Sequence, residues 1–248
     1  MLCTVRGCRQ PLAAAERRWV CPAGHSFDVA RQGYVNLLQP QDRRSRAPGD
    51  DAELLAARRR VFERGVELPF FEAITTMLPT GPLLDVGCGE ALYFANFNGP
   101  LHGVDISTAA IEMAARRHPE ARFIVANADR FLPYADQSFG ALTSITGRHN
   151  PTEFRRVLHP EGRLIVVIPG PDDLVELRGQ TRDRVERTIR MFAEAFRLER
   201  LERLSRRVTL DRQALRDLAV ATYRPKRMPE TDALEVTLSR DALLFSGL

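Results

Sequence analysis

Short apolar runs recur from residue 83 onward, each bounded by glycine, proline or an acid. LLDV (83–86), LHGVD (101–105), RFIVANAD (122–129), GALTSI (140–145) and RLIVVIPG (163–170) have the length and β-branched content of buried strands. Between them lie segments with helical spacing of apolar positions. STAAIEMAARRHPEA is one, with Ser107 placed to cap it, and TEFRRVLHPEG is another, closed by Pro160 and Gly162. This alternation predicts an α/β fold with a parallel sheet covered by helices on both faces. Residues 52–78 read as one helix with an apolar face of Leu54, Leu55, Val61, Phe62, Leu68, Phe71 and Ile74. Beyond residue 181 the pattern predicts a charged helix over 185–204, a sixth strand RRVTL (206–210), a helix over 211–222 and a seventh strand ALEVTLSR (233–240).

The first 40 residues break this pattern. They carry Cys3, Cys8, Cys21 and His25 in the spacing C-x4-C, twelve residues, C-x3-H, while the remaining cysteine, Cys88, lies far away. Two ligand pairs on tight turns suit tetrahedral zinc, and four protein ligands leave no open position, so the role is structural. A segment this small has little apolar core, so metal would supply much of its folding free energy. No run of 18 apolar residues and no basic-then-apolar leader is present, which points to a cytoplasmic chain. In a reducing compartment clustered thiols are better explained by metal than by disulfides.

Charge is unevenly spread. Residues 1–60 hold 11 Arg against 6 Asp and Glu, a net of +5, whereas the whole chain is +4, so the remainder carries −1. An excess at one end suits a polyanionic partner such as RNA or DNA. The use of Arg rather than Lys is not informative, since Lys226 is the only lysine.

The strand LLDV runs into Gly87 and Gly89, and a helix is expected to start near Ala91. Glycines here let a backbone approach a ligand closely, and an acid at the tip of the second strand, Asp105, can accept hydrogen bonds from ribose hydroxyls. D-x-G-x-G, that acid, and LPYADQSFGAL before the fourth strand resemble the class I (Rossmann-like) S-adenosylmethionine-dependent methyltransferases. The resemblance implies that Asp85, Gly87, Gly89, Glu90 and Ala91 line the methionine end and that Asp105 holds the ribose. Ile106 would pack on adenine, and Ala128 and Asp129 would edge the base. Asp173, in PGPDDLVELRG, joins this cofactor set.

The order of parts narrows the likeness. C-x3-H-x-FD-x-A-x-x-GY-x-NLL, then R-S-R-x-PGD, then the methyltransferase pattern resemble the 23S rRNA guanine-N1 methyltransferases, the family of rRNA large subunit methyltransferase A. Some members of that family confer macrolide resistance. The likeness implies a zinc-binding RNA-recognition module over 1–38, a basic linker and helix over 39–78, and a methyltransferase domain with a seven-stranded, mostly parallel sheet over 79–248. It also implies a 23S rRNA hairpin as partner and a homodimer as a possible assembly. Arg43, Arg44, Arg46 and Arg59 are the candidate RNA contacts. Guanine N1 carries a proton, so Arg148 is a candidate for steadying O6 and His149 for accepting the proton. Several positions depart from the family pattern: the x4 gap, Ala91 in place of a third glycine with a short following segment, SITGRHNPTEF after the fourth strand, and Glu67 where a tyrosine is usual. These leave open methylation of another substrate, or a non-catalytic RNA-binding relative.

Overall fold

A computed structural model describes residues 1–43, 45, 48–94, 97–222 and 230–248. The N-terminal module is a three-stranded antiparallel sheet, β1 (Ala13–Ala15), β2 (Arg18–Val20) and β3 (Ser26–Asp28), in that order. Its strands are largely exposed. A short strand β4 (Val35–Asn36) then leaves the module and joins the edge of the main sheet.

The expected helix over 52–78 is two helices, α1 (Ala52–Glu63) and α2 (Leu68–Thr76). Gly65 takes a left-handed φ of +68° and closes α1, and Pro69 is tolerated because it falls in the first turn of α2. Asp51 caps α1 by accepting from the Leu54 amide at 2.9 Å. Next come β5 (Leu83–Val86), β6 (Leu101–Asp105), α3 (Thr108–Arg117), β7 (Arg122–Val125), β8 (Phe139–Ile145), α4 (Pro151–Val157) and β9 (Leu158–Pro169). Where a helix was expected from Ala91, the described residues hold only a 3-10 turn, Leu92–Phe94. The fourth-to-fifth connection also differs, because α4 stops at Val157 and residues 158–162 already extend β9.

The C-terminal part contains α5 (Val175–Arg178), α6 (Val185–Phe192), β10 (Phe196–Asp211), α7 (Arg212–Ala221) and β11 (Ala233–Gly247). The charged helix expected to reach Leu204 therefore ends at Phe192. Leucines three apart at 198, 201 and 204 imitate a helical stripe. The long antiparallel ladder with β11 overrides it, and the alternation of the strand puts Leu204, Val208 and Leu210 on one side.

The main sheet runs β10-β11-β9-β8-β5-β6-β7-β4. Pairings from β9 through to β4 are parallel, while β11 is antiparallel to both β9 and β10. The seven expected strands are all present, with β4 as an eighth. Alternate residues feed opposite faces. Leu84, Val86, Leu164 and Val166 enter one apolar cluster with Phe154, Phe192 and Phe245; Leu83, Ile165 and Val167 enter another with Phe94 and Phe123. The first cluster also contains Cys3, Leu12 and Cys21, so the zinc-type module shares the sheet's core. No helix among the described residues is long and apolar enough to cross a membrane.

Candidate functional site

Two sites lie along the carboxyl edge of the sheet and beside it. In the N-terminal module, Gly7 (φ +76°) and Gly24 (φ +84°) permit the two turns, and the Gly24 amide donates to the Cys21 carbonyl at 2.9 Å. These turns bring the ligand atoms of Cys3, Cys8, Cys21 and His25 within 4.8 Å of one another. His25 Nδ1 lies 3.4 Å from Cys3 Sγ and 3.3 Å from Cys21 Sγ, and Cys8 Sγ lies 3.8 Å from Cys21 Sγ. Tetrahedral zinc with its usual bond lengths has edges of about 3.5–3.8 Å, so three sulfurs and one nitrogen fit that ion.

A cavity of about 620 Å³ opens at the carboxyl ends of β5 to β8. Gly87 (φ +75°) and Gly89 (φ +53°) form its floor in conformations that favour glycine. Asp105 is fixed at the tip of β6 by two backbone donors, the Gly89 amide at 2.9 Å and the Ser107 amide at 2.8 Å. Asp85 accepts from the Thr143 hydroxyl at 2.8 Å. Burial raises the Asp85 carboxyl to about 7, with the neighbouring Asp105 charge adding to the push. Burial also raises Asp105. Such a site favours a ligand that brings positive charge, as a sulfonium does.

The other expected cofactor residues fall as follows. Glu90, Ile106, Ala128, Asp129 and Asp173 line the cavity. Glu90 accepts from Arg59 at 2.7 and 3.1 Å through one oxygen, while its second oxygen, Oε1, is buried without a partner among the described residues. That atom is a ready acceptor for a ligand ammonium. Asp173 is held by Arg178, by Arg240 and by the Ser239 amide at 3.0 Å. Ala91 does not line the cavity. It is buried with φ +53°, a left-handed backbone that glycine adopts with less strain.

The two loop candidates separate. Arg148 borders the cavity and pairs with Asp129 at 3.2 Å. His149 is absent from the lining. Its ring packs against Phe192 at 5.4 Å, and burial lowers its pKa, keeping it neutral. Among the RNA candidates Arg43 is exposed, Arg59 is engaged by Glu90, and Arg44 and Arg46 lie outside the described residues. Sequence reasoning missed Arg58, Tyr93 and Arg240, which all line the cavity. Arg240 reaches Glu67 at 3.0 Å from the far end of the chain, and the Tyr93 hydroxyl donates to the same Glu67 at 3.4 Å. Glu67 thus holds a buried arginine at the position where a tyrosine is usual.

A Rossmann-like sheet with glycine turns and an acid at the second strand defines an S-adenosylmethionine-dependent methyltransferase, here joined to a zinc ribbon. The zinc-ribbon family described as RlmA, N-terminal, matches residues 3–46, and a methyltransferase domain family matches residues 84–166. A putative 23S rRNA (guanine-N(1)-)-methyltransferase of Micromonospora griseorubida is 38% identical over 68% of this chain and 66% of its own length, just under two thirds. The 23S rRNA (guanine(748)-N(1))-methyltransferase of Streptomyces fradiae is 34% identical over 84% of this chain and 80% of its own length. Among solved structures, one described by the conversion of a disulfide bond into a thioacetal group during echinomycin biosynthesis shares the fold, with a TM-score of 0.51 at 16% identity over 72% of this chain and 81% of that one. The chain belongs to the 23S rRNA (guanine-N1)-methyltransferase family.

Proposed function

We propose that this chain transfers a methyl group to N1 of one guanine in a hairpin loop of 23S rRNA, in the cytoplasm. The observation that carries the reading is one continuous core that joins a zinc ribbon to a methyl-donor cavity, in a chain 34% identical to a guanine-N1 methyltransferase over most of both lengths. When bound, S-adenosylmethionine supplies an electrophilic methyl group. Asp105 would take the ribose hydroxyls, Ile106 would cover the adenine, and Glu90 Oε1 and Asp85 would face the cationic end. N1 sits on the Watson–Crick edge, so the target base enters unpaired or extruded. The N1 proton would leave to solvent water ahead of transfer, and the resulting guanine anion would take the methyl group at N1 as the sulfur–methyl bond breaks. Arg148 steadies the negative charge that this places on O6. His149 packs against Phe192 and takes no proton. The α6 surface around exposed Met191 is our candidate for contact with a second copy.

Primer extension on 23S rRNA from cells with and without the protein tests the substrate. A reverse-transcription stop at a single hairpin guanine, present only with the protein, is expected. Identical profiles would remove rRNA as the substrate. Arg148→Ala should lower the transfer rate at least tenfold with cofactor affinity intact, while His149→Ala should hold the rate within threefold.

A further inference from the structure

The geometry points to a second, smaller subsite that binds the backbone phosphate next to the target guanine, an inference that rests on the RNA reading above. A cavity of about 90 Å³ lies between the Cys3–Cys8 loop and the sheet, walled by Arg6, Arg9, Asp42, Asn127, Arg130 and Phe131. It is sized for a phosphate group rather than a base. Ala126 and Asn127, at the end of β7, line both this cavity and the methyl-donor cavity, so the two are neighbours across one residue pair. Asn127 makes the link polar: its side-chain amide donates to the Asp42 carbonyl at 3.0 Å, and its oxygen accepts from the Asp129 amide at 3.1 Å. A strand that places a base beside Asp129 and Arg148 therefore runs its next linkage over Asn127 towards the small cavity.

The small cavity has the charge for that linkage. Three guanidinium groups meet one carboxylate, leaving two positive charges unbalanced. Asp42 is already engaged by Arg130 and lies 3.9 Å from Arg6, whose side chain is 62% exposed and keeps donors facing solvent. The Arg9 guanidinium stacks over the Phe131 ring at 4.8 Å, which orders it before any ligand arrives. Arg9 also sits at φ +48°, a backbone conformation that glycine would adopt with less strain, yet the chain keeps a cationic side chain there. Two charged groups on the ligand side of a zinc ribbon, aimed at one small hollow, match a single phosphodiester better than an extended electrostatic surface.

Arg6→Ala with Arg9→Ala, made in the full zinc-loaded chain, tests the subsite against the mapped hairpin. Affinity should fall about tenfold or more, and the slope of log affinity against log salt should flatten by about 1 to 2. S-adenosylmethionine affinity and zinc content should not change, and Arg17→Ala with Arg18→Ala, an equal charge loss at exposed positions of the ribbon, should have little effect. Arg9→Lys should recover part of the loss. A hairpin with a neutral methylphosphonate at either linkage flanking the target guanine should bind wild type more weakly at one of the two linkages. The double variant should lose that penalty. Unchanged affinity of the double variant, or a methylphosphonate penalty equal in both proteins, would overturn the subsite and leave the rRNA reading standing. Failure of wild type to bind any 23S hairpin would overturn both.

Discussion

The zinc ribbon and the methyltransferase sheet solve the same problem by different means. Within residues 1–34 only Cys3, Leu12 and Cys21 are buried, and two of those three are metal ligands. In β5 all four residues are buried and their alternate side chains enter two separate apolar clusters. One region is held by coordination and the other by burial. The comparison also shows where they stop being independent. Val35 pairs with Ile124 across β4 and β7, and the Leu2 amide donates to the Pro133 carbonyl at 2.9 Å, so the ribbon is stitched to the sheet's edge. Metal in the ribbon therefore sets the position of the small arginine cavity, while the donor cavity rests on the sheet itself.

The largest expected effect separates these two supports. Cys8→Ser, or chelation, should release zinc and reduce rRNA methylation about 100-fold or more, because a structural site of this kind carries its module's folding free energy. Cofactor affinity, read by calorimetry, should change less than about threefold; an equal loss of both would show that the regions form one cooperative support. Phe154→Ala strikes the other side. Phe154 is fully buried beside Phe192, and its truncation should cost about 3–5 kcal/mol in denaturant unfolding. Next in size, Asp105→Asn replaces the carboxylate that orders the Gly89 turn, and cofactor affinity should fall about tenfold. A loss under twofold would take Asp105 out of the ribose site.

A pH series sharpens the comparison further. Asp85 titrates near 7 in the folded chain, above its ordinary 3.8. A raised acid favours the folded state while protonated, so its contribution is present below pH 4 and is lost as pH rises through 7. The unliganded chain should therefore lose thermal stability between about pH 4 and 7, and Asp85→Asn should flatten that slope. Cofactor affinity should rise over the same window, since a cationic ligand prefers the carboxylate. The smallest effect belongs to Ala91. Glycine at φ +53° removes the left-handed strain of an L side chain, and Ala91→Gly should stabilise the chain by about 0.5–1 kcal/mol, read as a small increase in melting temperature.

Residues near one another in sequence were readable, and residues joined only by topology were not. Cys3, Cys8, Cys21 and His25 could be assembled from spacing alone, because short turns fix each pair. Asp85, Gly87, Gly89 and Asp105 were named partly from strand ends that alternate with helices and partly from a resemblance to methyltransferase motifs, and all four line the cavity. Arg240 meets Glu67 across 173 residues, and no local pattern in β11 announces that meeting. Arg59 was expected to contact RNA and its neighbour was passed over, yet one step of helix rotation points Arg58 at the donor cavity and Arg59 at Glu90. The β10 strand was misread because leucines three apart satisfy helical spacing, and only its antiparallel partner decides between the two. His149 was a reasonable base by residue type, and the packing of Phe192 removes it from the cavity.

The most direct measurement of the central claim is nucleoside analysis by mass spectrometry of a 23S rRNA hairpin incubated with the zinc-loaded chain and isotopically labelled S-adenosylmethionine. One labelled methyl group per hairpin, recovered as 1-methylguanosine, is the predicted result. Label on another base or position, or none from a chain that holds both zinc and cofactor, would contradict it.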